Sequence, residues 1–357
     1  MADTKILPPG STIGILGGGQ LGRMTALAAA RLGYRTIVYA PDDESIAGEI
    51  ASLYVQGDYD DELALEWFAE RVDVITYEFE NVPEATVAFC EKTKPVRPGI
   101  KAIRFAQHRV REKDFLRKSG IGTADYQPIA SDADIEKATA LPGILKTCTQ
   151  GYDGKGQARV ATKEGIRAAW EKFGRRECIL EALVDFQCEV SAIVARGLDG
   201  ETKCFPIGRN EHRDGILRTT HVPSGLDDGV LKKAEAFGLK LAESLDLVGL
   251  VALEMFVTRD GRVLANEMAP RPHNSGHWTM DACATSQFEQ LVRAICGLPL
   301  GSVEVLSPSR MENLIGEEAN DWLKYVTDPA ARLHLYGKAK ARPGRKMGHV
   351  TFLTPSS

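Results

Sequence analysis

Between residues 144 and 157 the chain gathers residue types that bind polyphosphate. Ile144-Leu145-Lys146 reads as a strand ending in lysine, and Gly151-Tyr152-Asp153-Gly154-Lys155-Gly156-Gln157 follows within a few residues. Three glycines in six positions make a loop whose N–H groups can wrap phosphates while Lys146 and Lys155 supply charge. The same composition also suits a plain surface turn, and the Walker A spacing is not met. Far downstream, Val248 to Val257 and Arg262 to Met268 read as two strands joined around Asp260-Gly261. A two-residue hairpin loop of that kind puts Glu254 directly opposite Glu267. Like charges so placed, with Cβ atoms about 5 Å apart, weaken a sheet unless something offsets them. Mg2+, which takes carboxylate, water and phosphate oxygens, would offset them; screening by solvent is the alternative. The segment Ala269-Pro270-Arg271-Pro272-His273-Asn274-Ser275-Gly276-His277-Trp278 follows at once, its prolines stiffening a turn that presents Arg271, His273 and Asn274. A planar guanidinium there suits a carboxylate or acyl phosphate.

The elements that must position these residues divide into three stretches. Thr12 to Leu16 and Arg35 to Ala40 read as strands around an Ala-rich helix from Gln20 to Leu32, and Val72 to Tyr77 reads as a further strand. That alternation predicts a doubly wound α/β domain with a parallel sheet. Gly17, Gly19 and Gly22 between the first strand and helix match G-x-G-x-x-G, a turn that brings backbone N–H groups to a phosphate. No acidic residue ends the second strand, where a dinucleotide site wants one. A Pro/Gly connector, Lys94 to Gly99, leads to a charged helix predicted over Ile100 to Lys118, and a later helix is predicted over Val230 to Leu245. The expected units are an N-terminal Rossmann-like domain, 1–108, a small lid with the glycine loop, 109–188, and a large domain with the metal site and a basic C-terminal segment, 189–357.

A chain of 357 residues exceeds one ordinary core, and several domains allow a cleft between them. The net charge of -5 argues against a general nucleic-acid binder. Yet no Asp or Glu occurs from Ala331 to Ser357, which reads either as a solvated basic tail or as a local anion site. Seven cysteines without a C-x-x-C pair suit reduced thiols in a cytosol, and no apolar run approaches a membrane span. Export and membrane insertion are not expected.

Lys146, GYDGKGQ, the Glu254/Glu267 pair and APRPHNSGHW together resemble the ATP-grasp superfamily, and within it the 5-(carboxyamino)imidazole ribonucleotide synthetases of purine synthesis. GGGQLGRM, YEFENV, NEHRDGILRT and RPGRKMGH extend the likeness nearly end to end. The resemblance implies an N-terminal doubly wound domain followed by a two-part ATP-grasp fold, with ATP and Mg2+ as cofactors and a homodimer in the cytoplasm. It implies nucleotide contacts from Arg109, Lys146, Gly151, Tyr152, Asp153, Gly154, Lys155, Gly156, Gln157, the hinge Glu181-Ala182-Leu183-Val184, Glu189, His212, Asn266 and Glu267. Glu254 and Glu267 would hold the metal, and Gln20, Tyr152, Asp153, Arg271, His273, Asn274, Lys338 and Arg345 would line the aminoimidazole ribonucleotide site. The wider superfamily often has E-x-N in its second metal strand; here Ala269 stands in the third position, leaving water and phosphate to complete the shell.

The chemistry implied is attack of bicarbonate on the γ-phosphate of ATP, then carboxylation of the exocyclic amine of the ribonucleotide. Asp153, Lys155 and Arg271 are the expected catalytic residues, Asp153 orienting the amine or taking its proton, Lys155 offsetting phosphoryl charge and Arg271 steadying the anhydride. Three rivals are a formate-activating ATP-grasp ligase, an NAD-dependent oxidoreductase built on the first glycine turn, and a non-catalytic nucleotide sensor.

Overall fold

A computed structural model describes residues 6–149 and 156–354. The first sheet is parallel, ordered β3-β2-β1-β4 from β1 (Thr12–Leu16), β2 (Arg35–Ala40), β3 (Leu53–Gln56) and β4 (Val74–Tyr77). The apolar, largely β-branched strands β1, β2 and β4 are buried on both faces, as crossover helices such as α1 (Gln20–Arg31) and α2 (Glu62–Glu70) require, while β3 is the exposed edge. β1 and β2 match the predicted positions and β4 starts two residues later than predicted, whereas the short β3 was not expected.

The predicted helix over Ile100 to Lys118 is two helices. Ile100–Ala106 is capped at Gln107, and Arg109–Lys118 starts afresh from His108, whose side chain accepts from Arg111 N. We number the intervening Glu84–Glu91 α3 and these two α4 and α5. The break matters because it turns Arg109, Glu112 and Lys113 of α5 onto one face toward the interior; Glu112 and Lys113 are buried.

A second four-stranded sheet, antiparallel in order β5-β8-β6-β7, comprises β5 (Tyr126–Ile129), β6 (Gly143–Thr147), β7 (Gln157–Val160) and β8 (Cys178–Ala182). The third sheet has nine strands among the described residues: β9 (Phe186–Arg196), β10 (Thr202–Cys204), β11 (Gly208–Arg213), β12 (Ile216–Val222), β13 (Gly249–Thr258), β14 (Val263–Ala269), β15 (Ser309–Ile315), β16 (Ala331–Leu335) and β17 (Lys346–Leu353). Its path runs β14-β13-β9-β11-β12-β15-β17-β16, with β10 on β9. Within the acid-free C-terminal stretch, Ala331–Leu335 and Lys346–Leu353 are therefore strands of this sheet rather than a solvated tail.

Helix Asp228–Ser244 covers one face of this sheet through Ala234, Phe237, Leu241 and Ala242. It approaches closely at Gly238, where a Cβ would stand 2.7 Å from Ala192 Cβ and 3.0 Å from Val194 Cγ2. Gly238→Val is expected to push the helix off the sheet and cost about 2 kcal/mol or more, as overpacked cores do, read by urea denaturation. Unchanged stability would show that this contact yields freely.

Candidate active site

The decisive local feature is the register of β13 against β14. Near the turn Val257 pairs with Val263 and Met255 with Ala265, whereas Glu254 pairs with Glu267. Asn266 is thus an extra residue, a β-bulge. The turn differs from the predicted two-residue loop: Thr258 N donates to Arg262 O and Gly261, at φ +79°, closes a three-residue loop. The longer loop and the bulge cancel, so the opposition of Glu254 and Glu267 holds although the reasoning toward it missed both.

Helix α5 clamps the bulge. Lys113 Nζ donates to Asn266 O at 2.6 Å, Met268 N donates to Glu112 Oε1 at 2.5 Å, and Arg109 pairs with Glu267 at 2.9 Å. These contacts satisfy backbone groups that a bulge leaves unpaired. Lys113 also meets Glu181 at 3.2 Å, and Lys146 meets the same carboxylate at 3.1 Å. Burial alone would raise Glu181, yet the two ammonium groups hold its pKa down to about 2. Burial pushes Lys146 downward in turn.

The carboxylate pair lines a cavity of about 990 Å³. Glu254 meets His273 Nε2 at 2.8 Å, and His273 Nδ1 lies 2.7 Å from Ser275 Oγ. Burial works to raise Glu254, and the His273 imidazole overrides it to bring the pKa to about 2. The compensation assigned to a cation in sequence reasoning is therefore supplied, within the protein itself, by Arg109 and His273. Glu189 meets His212 at 3.2 Å on the same wall; burial lowers His212, but Glu189 raises it more. Arg271 is ion-paired with Glu80, which raises the guanidinium against the lowering effect of burial.

Of the expected residues, Gln20, Arg109, Lys146, Gln157, Glu189, His212, Glu254, Asn266, Glu267, Arg271, His273 and Asn274 all line this cavity. Gly156, at φ +70°, precedes β7 and its carbonyl accepts from Thr147 N. Glu181 is buried behind Lys146, and Ala182, Leu183 and Val184 line a separate hollow with Thr258 to Asp260. Lys338 donates to Lys346 O at 2.7 Å and Arg345 to Lys340 O at 2.8 Å; it is Lys346 that reaches the cavity wall. Gly151, Tyr152, Asp153, Gly154 and Lys155 lie outside the described residues.

The first glycine turn works differently from a phosphate loop. Gly19 N and Gly22 N donate to the carboxylate of Glu78, the latter at 2.8 Å. A Cβ at Gly19 would lie 2.7 Å from Glu78 Oε1, so the glycines admit this side chain. The helix N-terminus thus already carries an anion of the protein's own, which leaves the oxidoreductase reading without its phosphate site.

Sequence reasoning missed Glu78, Glu80, Glu112, Lys113 and Lys346. The available signal was charge inside apolar context: YEFENV directly follows a buried strand, and Glu112-Lys113 recurs on the α5 face carrying Arg109. Two further observations point to a ligand. Asn266 Oδ1 and both amide atoms of Asn274 are buried without a hydrogen-bond partner among the described residues, and both residues face the cavity.

Against this geometry stand the matches to known proteins. Residues 11–107 match the ribonucleotide synthetase preATP-grasp domain, 114–288 the ATP-grasp domain and 309–357 the phosphoribosylaminoimidazole carboxylase C-terminal domain. The chain is 46% identical to the N5-carboxyaminoimidazole ribonucleotide synthase of Brucella melitensis over 99% of both. It also matches a bifunctional purine synthesis protein of Dictyostelium discoideum at 45% identity, spanning only 37% of that protein's length. Among solved structures it is similar to the ADP complex of an N5-carboxyaminoimidazole ribonucleotide synthetase, at 44% identity and TM-score 0.94, covering 98% of this chain and 94% of that one. The Aspergillus clavatus synthase with ADP and 5-aminoimidazole ribonucleotide gives 32% identity and TM-score 0.91, with 98% and 95% covered.

Glu112 offers a test of the clamp. Burial first, then Glu267, raises its pKa from 4.5 to about 8. A carboxyl raised on folding destabilises progressively as pH climbs from the unfolded value to the folded one, and by a constant amount above. Glu112→Gln keeps the acceptor for Met268 N and removes that cost. Its melting temperature, without ligands, is expected to exceed wild type by a margin that widens up to about pH 8 and then levels. A margin independent of pH would contradict the assignment.

Proposed function

The chain belongs to the N5-carboxyaminoimidazole ribonucleotide synthase family of ATP-grasp ligases, and we infer that it carboxylates 5-aminoimidazole ribonucleotide with bicarbonate at the expense of ATP, in purine synthesis. The observation that carries this reading is Glu254 facing Glu267 within a cavity also lined by the Asn266 oxygen and the Asn274 amide, which have no partner among the described residues.

Two carboxylates and a carboxamide oxygen form a hard-oxygen donor set that fits Mg2+, with Glu254 and Glu267 as its holders. When bound there, Mg2+ neutralises phosphoryl charge as the γ-phosphate of ATP is transferred to bicarbonate. The protein's part is placement. Arg109, already on Glu267, keeps that carboxylate aimed into the cavity, and Lys146, braced by Glu181, holds an ammonium over the phosphate path. Lys155 adds charge from the glycine loop. Arg271 is pinned by Glu80, so its guanidinium is preorganised to receive the carboxyphosphate anion. Asn274 supplies an amide that can both donate and accept for the ribonucleotide, His273 stands beside it, and Asp153 orients or deprotonates the exocyclic amine. We assign the ribonucleotide phosphate to Lys346, which lines the cavity, with Lys338 and Arg345 behind it. The hinge 181–184 remains our assignment for adenine, with Glu189 and His212 toward ribose.

We further take the three units as 1–108, 109–188 and 189–357, and the protein as a cytoplasmic homodimer. A net charge of -5 is consistent with the absence of nucleic-acid partners, and no helix among the described residues is long and apolar enough to cross a membrane.

ADP release should require bicarbonate and aminoimidazole ribonucleotide together, and formate should not replace bicarbonate; formate-driven turnover would favour the formyl-transferring rival. Glu267→Gln is expected to lower kcat by about 10²-fold or more while leaving the melting temperature near wild type. Full turnover in that variant would refute the metal assignment. Lys346→Met should raise KM for the ribonucleotide by about tenfold, the loss of one charged contact, and more than Arg345→Met does. Equal effects would return the phosphate contact to Arg345.

A further inference from the structure

Outside the carboxylate pair, a second set of ligating side chains converges where three segments meet. His108 sits at the start of α5, Cys148 just past the end of β6, and Glu177 just before β8. One ligating atom from each, imidazole nitrogen, Sγ and carboxylate oxygen, lies within 4.8 Å of the other two. His108 Nε2 and Glu177 Oε2 are already 3.3 Å apart. Cys148 is 3% exposed, and burial together with the neighbouring Glu177 carboxylate pushes its thiol up to about 12, against the smaller opposing effects of the Val110 N–H in the first turn of α5 and of Arg109.

We propose that His108, Cys148 and Glu177 form a site for a thiophilic divalent cation of the zinc class, separate from the carboxylates that would hold Mg2+. A thiolate, an imidazole and one carboxylate are a donor set that zinc takes and magnesium does not. Tetrahedral zinc, with bonds of about 2.0–2.3 Å, sets its ligands about 3.5 Å apart. Closing from the present spacing requires only side-chain rotation, for which Glu177, half exposed, has room. Cys148 also helps to line the cavity, and with three protein ligands a zinc ion would leave one position for water.

The proton balance is definite. The thiol gives its proton to solvent on binding the cation. The His108 ring proton moves from Nε2, which becomes the ligand, to Nδ1. Nδ1 then gives up the weak 3.4 Å cap bond from Arg111 N. Binding therefore exchanges a helix cap for a metal cross-link between α5 and the two strand ends, one residue from Arg109. The inference rests on these three side chains alone and stands whatever reaction the cavity performs.

Cobalt, a spectroscopic stand-in for zinc, reads the sulfur directly through its thiolate charge-transfer band. Titrating Co2+ into the full-length chain without Mg2+ should develop that band to one equivalent, and Zn2+ should bleach it. Cys148→Ala should abolish the band with the far-ultraviolet circular dichroism unchanged. His108→Ala, which keeps the sulfur, should weaken cobalt binding by about tenfold or more, as loss of one of three protein ligands does. A wild-type protein that shows no band at millimolar cobalt, or a band that survives in Cys148→Ala through one of the other six cysteines, overturns the proposal. Should Cys148→Ala misfold, His108→Ala decides alone: unchanged affinity there rejects the site.

Discussion

The site depends on one clamp. A single turn of α5 presents Arg109, Glu112 and Lys113 to the bulge at Asn266, where they bind the Glu267 carboxylate, the Met268 N–H and the Asn266 carbonyl. Without an acceptor and a donor at those two backbone groups the bulge would leave buried polar atoms unpaired, at roughly 1–3 kcal/mol each. Without the bulge, the pairing that holds from Val257 to Met255 would continue and Glu254 would face Asn266. The clamp therefore decides which side chains share the cavity.

Its second consequence is electrostatic. Lys113 is shared between the bulge carbonyl and Glu181, and Glu181 in turn holds Lys146. Through these buried pairs the linker helix, the small sheet and the large sheet become one charged framework, in which Glu181, the partner of Lys146, shares Lys113 with the bulge beside the carboxylate pair. Buried ion pairs are weak contributors to net stability but costly to break, which suits them to setting geometry. The Gly19 and Gly22 turn follows the same pattern: a helix terminus that would attract a ligand's phosphate is satisfied internally by Glu78.

Much of this was legible in the sequence because it is written in periodicity and in chemistry-bearing clusters. The strands of the first domain follow from apolar runs, and Glu254 and Glu267 stand out as acids in apolar strands. What was not legible is long-range. Nothing local separates Glu112 and Lys113 from the solvated charges of an exposed helix, because what makes them functional is a strand more than 150 residues away. The break at Gln107-His108 was hidden by continuous helix-forming residues on both sides. Lys346 was passed over among six basic residues that spacing alone does not rank; only the pairing of β17 with β15 turns it to the cavity. The hairpin shows a subtler limit, since turn chemistry puts Asp260-Gly261 in the turn but reports neither its third residue nor the bulge.

Whether Glu254 and Glu267 jointly hold the divalent cation at the phosphates is read by Mn2+ binding followed by electron paramagnetic resonance in the presence of ADP. Stoichiometric nucleotide-dependent Mn2+ binding is expected in wild type and its loss in both Glu254→Gln and Glu267→Gln. Wild-type Mn2+ affinity in either variant would contradict that assignment.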